Sequence, residues 1–102
     1  MSYRVVIPRS IPFDESNRVQ REVWKRGYST RLAGRDRGRP GQVVVEFLRL
    51  VDELPEPAEV PALERDLEQV LAGARIRAVF AGSGGWVETV QDRPVARAPR
   101  SV

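Results

Sequence analysis

The chain has 102 residues, 30 % of them charged and 41 % hydrophobic, with a formal net charge of +3 and neither cysteine nor histidine. That length holds one domain around one core. Without cysteine there is no disulfide and no thiolate metal site; without histidine the commonest metal ligand and the commonest general base are missing, and no cofactor is expected. No stretch approaches the ~20 apolar residues of a membrane span and the N-terminus lacks the apolar centre of a secretory signal, so the expectation is a cytoplasmic protein that does not engage membranes. One lysine among many arginines, with abundant Ala, Val, Gly and Pro, is the composition of a GC-rich bacterial or phage genome.

In chain order, Tyr3, Val5 and Ile7 alternate with Arg4, Val6 and Pro8, which predicts a short first strand ended by Pro8. Asp14 is placed to cap a helix over 14–26, with Val19 and Val23 as an i, i+4 apolar pair and Gly27 as its stop. Tyr28, Thr30 and Leu32 suggest a second strand, and 33–42, with three glycines, a proline and three arginines, an exposed loop. The stretch 43–54 carries two patterns at once. Val43, Val44 and Val45 favour a strand, while Val44, Phe47, Leu48, Val51 and Leu54 sit at helical spacing; the reading adopted is a strand. After the proline-rich connector begun by 55–57, Pro61 suits the first turn of a second helix with Leu63, Leu67, Val70 and Leu71 on one face and Gly73 at its end. Ile76, Ala78 and Phe80 alternate as a strand that 82–85 joins to 86–90 in a hairpin. Residues 91–102 hold two prolines, three arginines and no apolar rhythm, and are read as a disordered basic tail behind a single domain over 1–90.

The order is therefore βαββαβ plus an extra C-terminal strand, an α+β chain in the ferredoxin-like, split βαβ arrangement. That arrangement serves many unrelated functions and selects none.

Charge is unevenly spread along the chain. Residues 18–39 carry Arg18, Arg21, Lys25, Arg26, Arg31, Arg35, Arg37 and Arg39 against Glu22 and Asp36, a balance of +6. Residues 40–73 carry eight acids against Arg49 and Arg65, a balance of −6. The basic segment suits an anionic partner, and the two segments together suit pairing between copies. Trp24 and Tyr28, interleaved with those cations, offer rings for stacking, as does Trp86 beside the glycine run. Arg37-Gly38-Arg39-Pro40 resembles the core of the AT-hook, which implies an extended segment in a narrow minor groove. The flank Gly41-Gln42-Val43 departs from that pattern, and an arginine-bearing turn is the simpler reading. Gly82-Ser83-Gly84-Gly85 lacks the following helix and the lysine of a phosphate-binding loop, which leaves a turn.

Asp14, Glu15, Glu46, Glu88, Tyr3, Tyr28 and Ser83 are the available catalytic groups, and no spacing brings two of them to one reacting atom. No catalytic or metal residue is assigned, and the composition argues against an enzyme. The expectation is a small binding or adaptor domain that engages an anionic partner, nucleic acid or an acidic protein surface, through 18–39. Its rivals are a small dimeric ferredoxin-like enzyme or ligand-binding protein with a pocket among Trp24, Phe47, Phe80 and Trp86, and a phage or bacterial assembly subunit that forms homo-oligomers.

Overall fold

The computed structural model describes residues 2–82 and 84–90. Five strands and two helices follow one another as β1 (Ser2–Pro12), a 3-10 turn (Phe13–Glu15), α1 (Ser16–Trp24), β2 (Ser29–Arg35), β3 (Gln42–Val51), α2 (Glu59–Gly73), β4 (Val79–Phe80) and β5 (Trp86–Val90). The result is a small α+β domain in which one antiparallel sheet carries both helices on one face. Neither helix among the described residues is long and apolar enough to cross a membrane. The expected tail, 91–102, lies outside the described residues.

Alternation along the strands sorts their side chains to two faces. Val5, Ile7 and Ile11 of β1 and Val43, Val45 and Phe47 of β3 point toward the helices and are buried. Val19 and Val23 of α1 with Leu67 and Leu71 of α2 close this core, and Tyr28 is inside it. Gly27 ends α1 as its sequence suggests: at φ +91 it turns the chain so that the Tyr28 amide returns to the Val23 carbonyl at 3.0 Å. Asp14, by contrast, does not cap α1; it sits in the 3-10 turn, and no side chain caps the helix start. The second helix ends at Gly73 as expected, but the left-handed residue that follows it is a different one. Arg75, not Gly73, takes the left-handed conformation (φ 58), and the Ile76 amide reaches the Leu71 carbonyl at 2.9 Å.

Residues 42–51 form the strand, because β1 pairs with them over ten successive positions from Tyr3↔Val51 to Pro12↔Gln42. The sheet runs β2-β3-β1-β4, with β5 also on β1. Since β3 is antiparallel to both β1 and β2, those two strands run in the same direction with β3 between them.

Two expectations need correction here. β1 does not stop at Pro8 but continues to Pro12, and 76–80 with 86–90 do not form a hairpin. β4 pairs with Ser10 and Arg9, β5 pairs with Val6 to Ser2, and both lie antiparallel on the same edge of β1. The extra strand therefore adds no new edge, and the ferredoxin-like order with one further paired strand is not reproduced. The two corrections have one cause. Pro8 has no amide hydrogen to offer, and its carbonyl accepts from the Arg9 guanidinium at 2.9 Å, so the ladder on that side is interrupted. β4 ends at Phe80 and pairing resumes at Trp86, next to Gly85, where a Cβ would stand 3.0 Å from both the Val6 carbonyl oxygen and Val60 Cγ1.

Candidate functional site

The eight cations expected to meet a partner do not form one surface. Arg31 lies on the face of the sheet away from the helices and is held by Glu46 at 2.6 Å and Glu88 at 3.0 Å. The hydrogen bond it donates to Glu46, with that to Glu88, raises its pKa above the ordinary value, and the Arg31 guanidinium in turn holds Glu88 below the usual carboxylate range. Arg4 and the Trp86 indole also bind Glu88, at 3.2 Å each. Arg18 is bound to Glu15 at 2.9 Å and to the Arg75 carbonyl, and Lys25 lies 3.9 Å from Glu22.

Arg39 is committed inside the β2–β3 turn, where it meets Asp36 at 2.7 Å while the Gly38 amide donates to the same carboxylate. The Ser10 hydroxyl, Arg39 and the Gly38 amide hold the Asp36 carboxyl below its usual range. Backbone hydrogen bonds Asp36 to Gln42, Arg39 to Asp36 and Gln42 to Arg39 close this turn. The Arg37–Pro40 segment is therefore folded back on itself, which removes the extended minor-groove geometry. Among the described residues, Arg21, Arg26, Arg35 and Arg37 make no ion pair.

The three aromatic rings also separate. Tyr28 is 1 % exposed, its hydroxyl donates to Asp66 at 2.8 Å, and Arg49 lies over its ring. Burial, reinforced by the Asp66 carboxylate and opposed by Arg49, pushes its pKa up to about 12. It is a core residue and has no face for a base to stack on. Trp86 lies on the face opposite the helices. Trp24, at the end of α1, is 75 % exposed. None of the cavities among the described residues is lined by the expected set of Trp24, Phe47, Phe80 and Trp86 together: Phe47 is fully buried, Phe80 packs under Arg9 at the sheet edge, Trp24 is at the end of α1 and Trp86 is on the opposite face of the sheet. Trp86 is also the only aromatic ring that the described strands present on the open face, whereas sheets that bind single-stranded RNA stack bases on several.

What the structure assembles instead is a groove along β2, which among the described strands is the last of the sheet, with a partner on one side only. Two cavities follow one another along this strand. The first, about 520 Å³, lies between α1 and the start of β2 and is lined by Asn17, Gln20, Arg21 and Trp24 facing Tyr28, Ser29 and Thr30. Those four helix positions fall at i, i+3, i+4 and i+7 and so share one face. The second, about 460 Å³, is lined by Phe13, Leu32, Gly34, Arg35 and residues 41–43 and is mostly apolar. Phe13 and Leu32 are 64 % and 61 % exposed, large apolar side chains that nothing in the described chain covers. Sequence reading found Trp24, Arg21 and Arg35 but missed Phe13 and Leu32. Neither carried a distinct signal: Phe13 stands before the basic segment, and Leu32 sits inside it as one more residue of the alternating strand.

Compared with family models, with curated proteins and with solved structures, the chain matches none of them.

Proposed function

We propose that the domain is a non-catalytic binding module whose ligand is an extended, acidic and apolar protein segment held along β2. The observation that carries this reading is the coincidence, along a sheet edge that no other described strand covers, of an open groove, three exposed apolar side chains (Trp24, Leu32, Phe13) and two cations that make no ion pair among the described residues (Arg21, Arg35). An edge strand offers backbone donors and acceptors to an added strand, pockets beside it take alternate side chains, and the cations select acidic residues between them. A nucleic-acid footprint draws on many phosphate contacts, and half of the basic segment's cations are already engaged within the chain.

On the fold, the position of β3 between parallel β1 and β2 supports a variant of the ferredoxin-like arrangement in which the last edge strand is interrupted. The fold leaves function open; the groove carries the proposal.

The test is a salt-titrated binding assay against random double-stranded DNA, single-stranded DNA, RNA and a short peptide alternating glutamate with leucine, using wild type and the Arg21→Ala/Arg35→Ala pair. Peptide binding that weakens with salt and falls about tenfold in the variant is the expected result. Tight nucleic-acid binding with none to the peptide would overturn it.

A further inference from the structure

The chain contains a segment with the chemistry that this groove selects. Between β3 and α2, residues 52–58 (Asp52, Glu53, Leu54, Pro55, Glu56, Pro57 and Ala58) run without regular structure. Leu54 is 65 % exposed, and Asp52, Glu53 and Glu56 surround it in sequence. None of the three carboxylates forms an ion pair with a described residue; the Glu56 amide, not its side chain, is what engages Glu59. Two prolines keep the segment from becoming a helix and bias it toward an extended backbone. Leu54 is thus an exposed apolar knob in an acidic setting, while the groove is an exposed apolar slot in a basic one.

In a single copy the knob stays in solvent. Its chemistry is complementary to the groove: Leu54 matches Leu32, Phe13 and Trp24, and its three carboxylates match Arg21 and Arg35. A patch on one part of a molecule that complements a different part of the same molecule makes a heterologous contact between copies. Resting on the groove reading above, we infer that the segment 52–58 of a second copy occupies the β2 groove, so that the domain associates with itself head to tail. The opposite balances of residues 18–39 and 40–73 then have a structural meaning. Two of the four unpaired cations of one, Arg21 and Arg35, line the groove, and three acids of the other, Asp52, Glu53 and Glu56, flank the knob.

The alternative self-association surface is the open face of the sheet. It exposes Leu50, Val79 and Trp86, but its two arginines, Arg4 and Arg31, are already paired with Glu46 and Glu88 on the same face. It offers a partner no unsatisfied charge, whereas the groove and the connector each do.

The experiment is sedimentation velocity over a concentration series at low and high salt on four samples: wild type, Arg21→Glu/Arg35→Glu, Asp52→Lys/Glu53→Lys/Glu56→Lys, and an equimolar mixture of the two variants. All substituted side chains are at the surface, and circular dichroism checks that each variant is folded. Wild type associates at low salt and dissociates at high salt; each variant alone associates at least about tenfold more weakly; the mixture associates again, because the reversed groove of one meets the reversed connector of the other. The same variants are assayed with the glutamate–leucine peptide. A wild type that is monomeric throughout yet binds the peptide overturns self-association and leaves the groove reading standing. Loss of both overturns both. Association that persists in either variant alone, or fails to return in the mixture, also overturns the inference, and the Leu50→Ser/Trp86→Ser variant then tests the open face.

Discussion

The two edges of the sheet end in opposite conditions. The β4–β5 edge is interrupted: Pro8 withholds a donor in the middle of β1, β4 ends at Phe80 and β5 begins only at Trp86, Gly85 stands where a Cβ would meet Val6 and Val60, and Arg9 binds the Pro8 carbonyl and, at 2.6 Å, Glu68. A strand arriving there meets a broken ladder. The β2 edge runs regularly from Ser29 to Leu32 before its bulge, and cavities rather than packed side chains lie beside it. An edge becomes a docking site when a run of its ladder is continuous and its flank is unfilled; a proline and a gap between two short strands are enough to withdraw the other edge from competition.

The largest expected effect tests what the two edges share. Phe47 is buried in β3, the strand that carries β2, so Phe47→Ala lowers stability by about 3–5 kcal/mol in urea unfolding and weakens peptide binding only through the loss of folded protein. Next comes a pair of glycine substitutions that fail for different reasons. Gly85→Val drives a side chain into the Val6 carbonyl and Val60, and is expected to lower stability by up to about 3 kcal/mol without altering the groove. Gly34→Ala meets nothing within 4 Å but forces a side chain onto a φ of +129, for a loss of about 1–2 kcal/mol together with a change in peptide affinity, because Gly34 lines the groove. If both variants changed affinity alike, the edges would not be distinct.

Tyr28 supports the groove from beneath, and its hydroxyl is held by Asp66. Tyr28→Phe removes that hydrogen bond for about 1–2 kcal/mol at neutral pH. Its pKa in the folded protein, about 12, lies above the ordinary value of 10.0 that it takes when unfolded. The stabilisation from the neutral hydroxyl is therefore complete below pH 10 and is lost as pH rises toward 12. Chemical denaturation across that window is expected to show this loss in wild type and not in Tyr28→Phe. The smallest effect belongs to Arg31→Ala. Its ion pairs are on the open face and partly exposed, so stability falls by less than about 1 kcal/mol and peptide affinity does not change, although Arg31 belongs to the same basic segment as Arg21 and Arg35.

That last contrast shows how far the sequence is informative. Local signals were legible: Gly27 stops α1 where a positive φ is needed, and the leucine face of α2 is the buried one. The strand 42–51 was legible only in part, since its helical spacing is overruled by pairing with β1. What escaped depended on partners far along the chain. Pro8 reads as a strand end until Phe80 and Trp86 are found on either side of the gap it creates. Arg31 reads as available until Glu88, 57 residues later, is found against it. The groove was half legible, as cations and Trp24, because an unfilled space leaves no mark in a residue pattern.

The most direct test of the account is amide chemical-shift mapping on isotope-labelled protein titrated with the glutamate–leucine peptide at low salt. The account predicts the largest changes in Asn17 to Trp24 and Ser29 to Arg35, with slowed hydrogen exchange in the first half of β2 as new backbone bonds form. Changes centred on Val79 and Phe80 and on β5, with β2 unaffected, would contradict it.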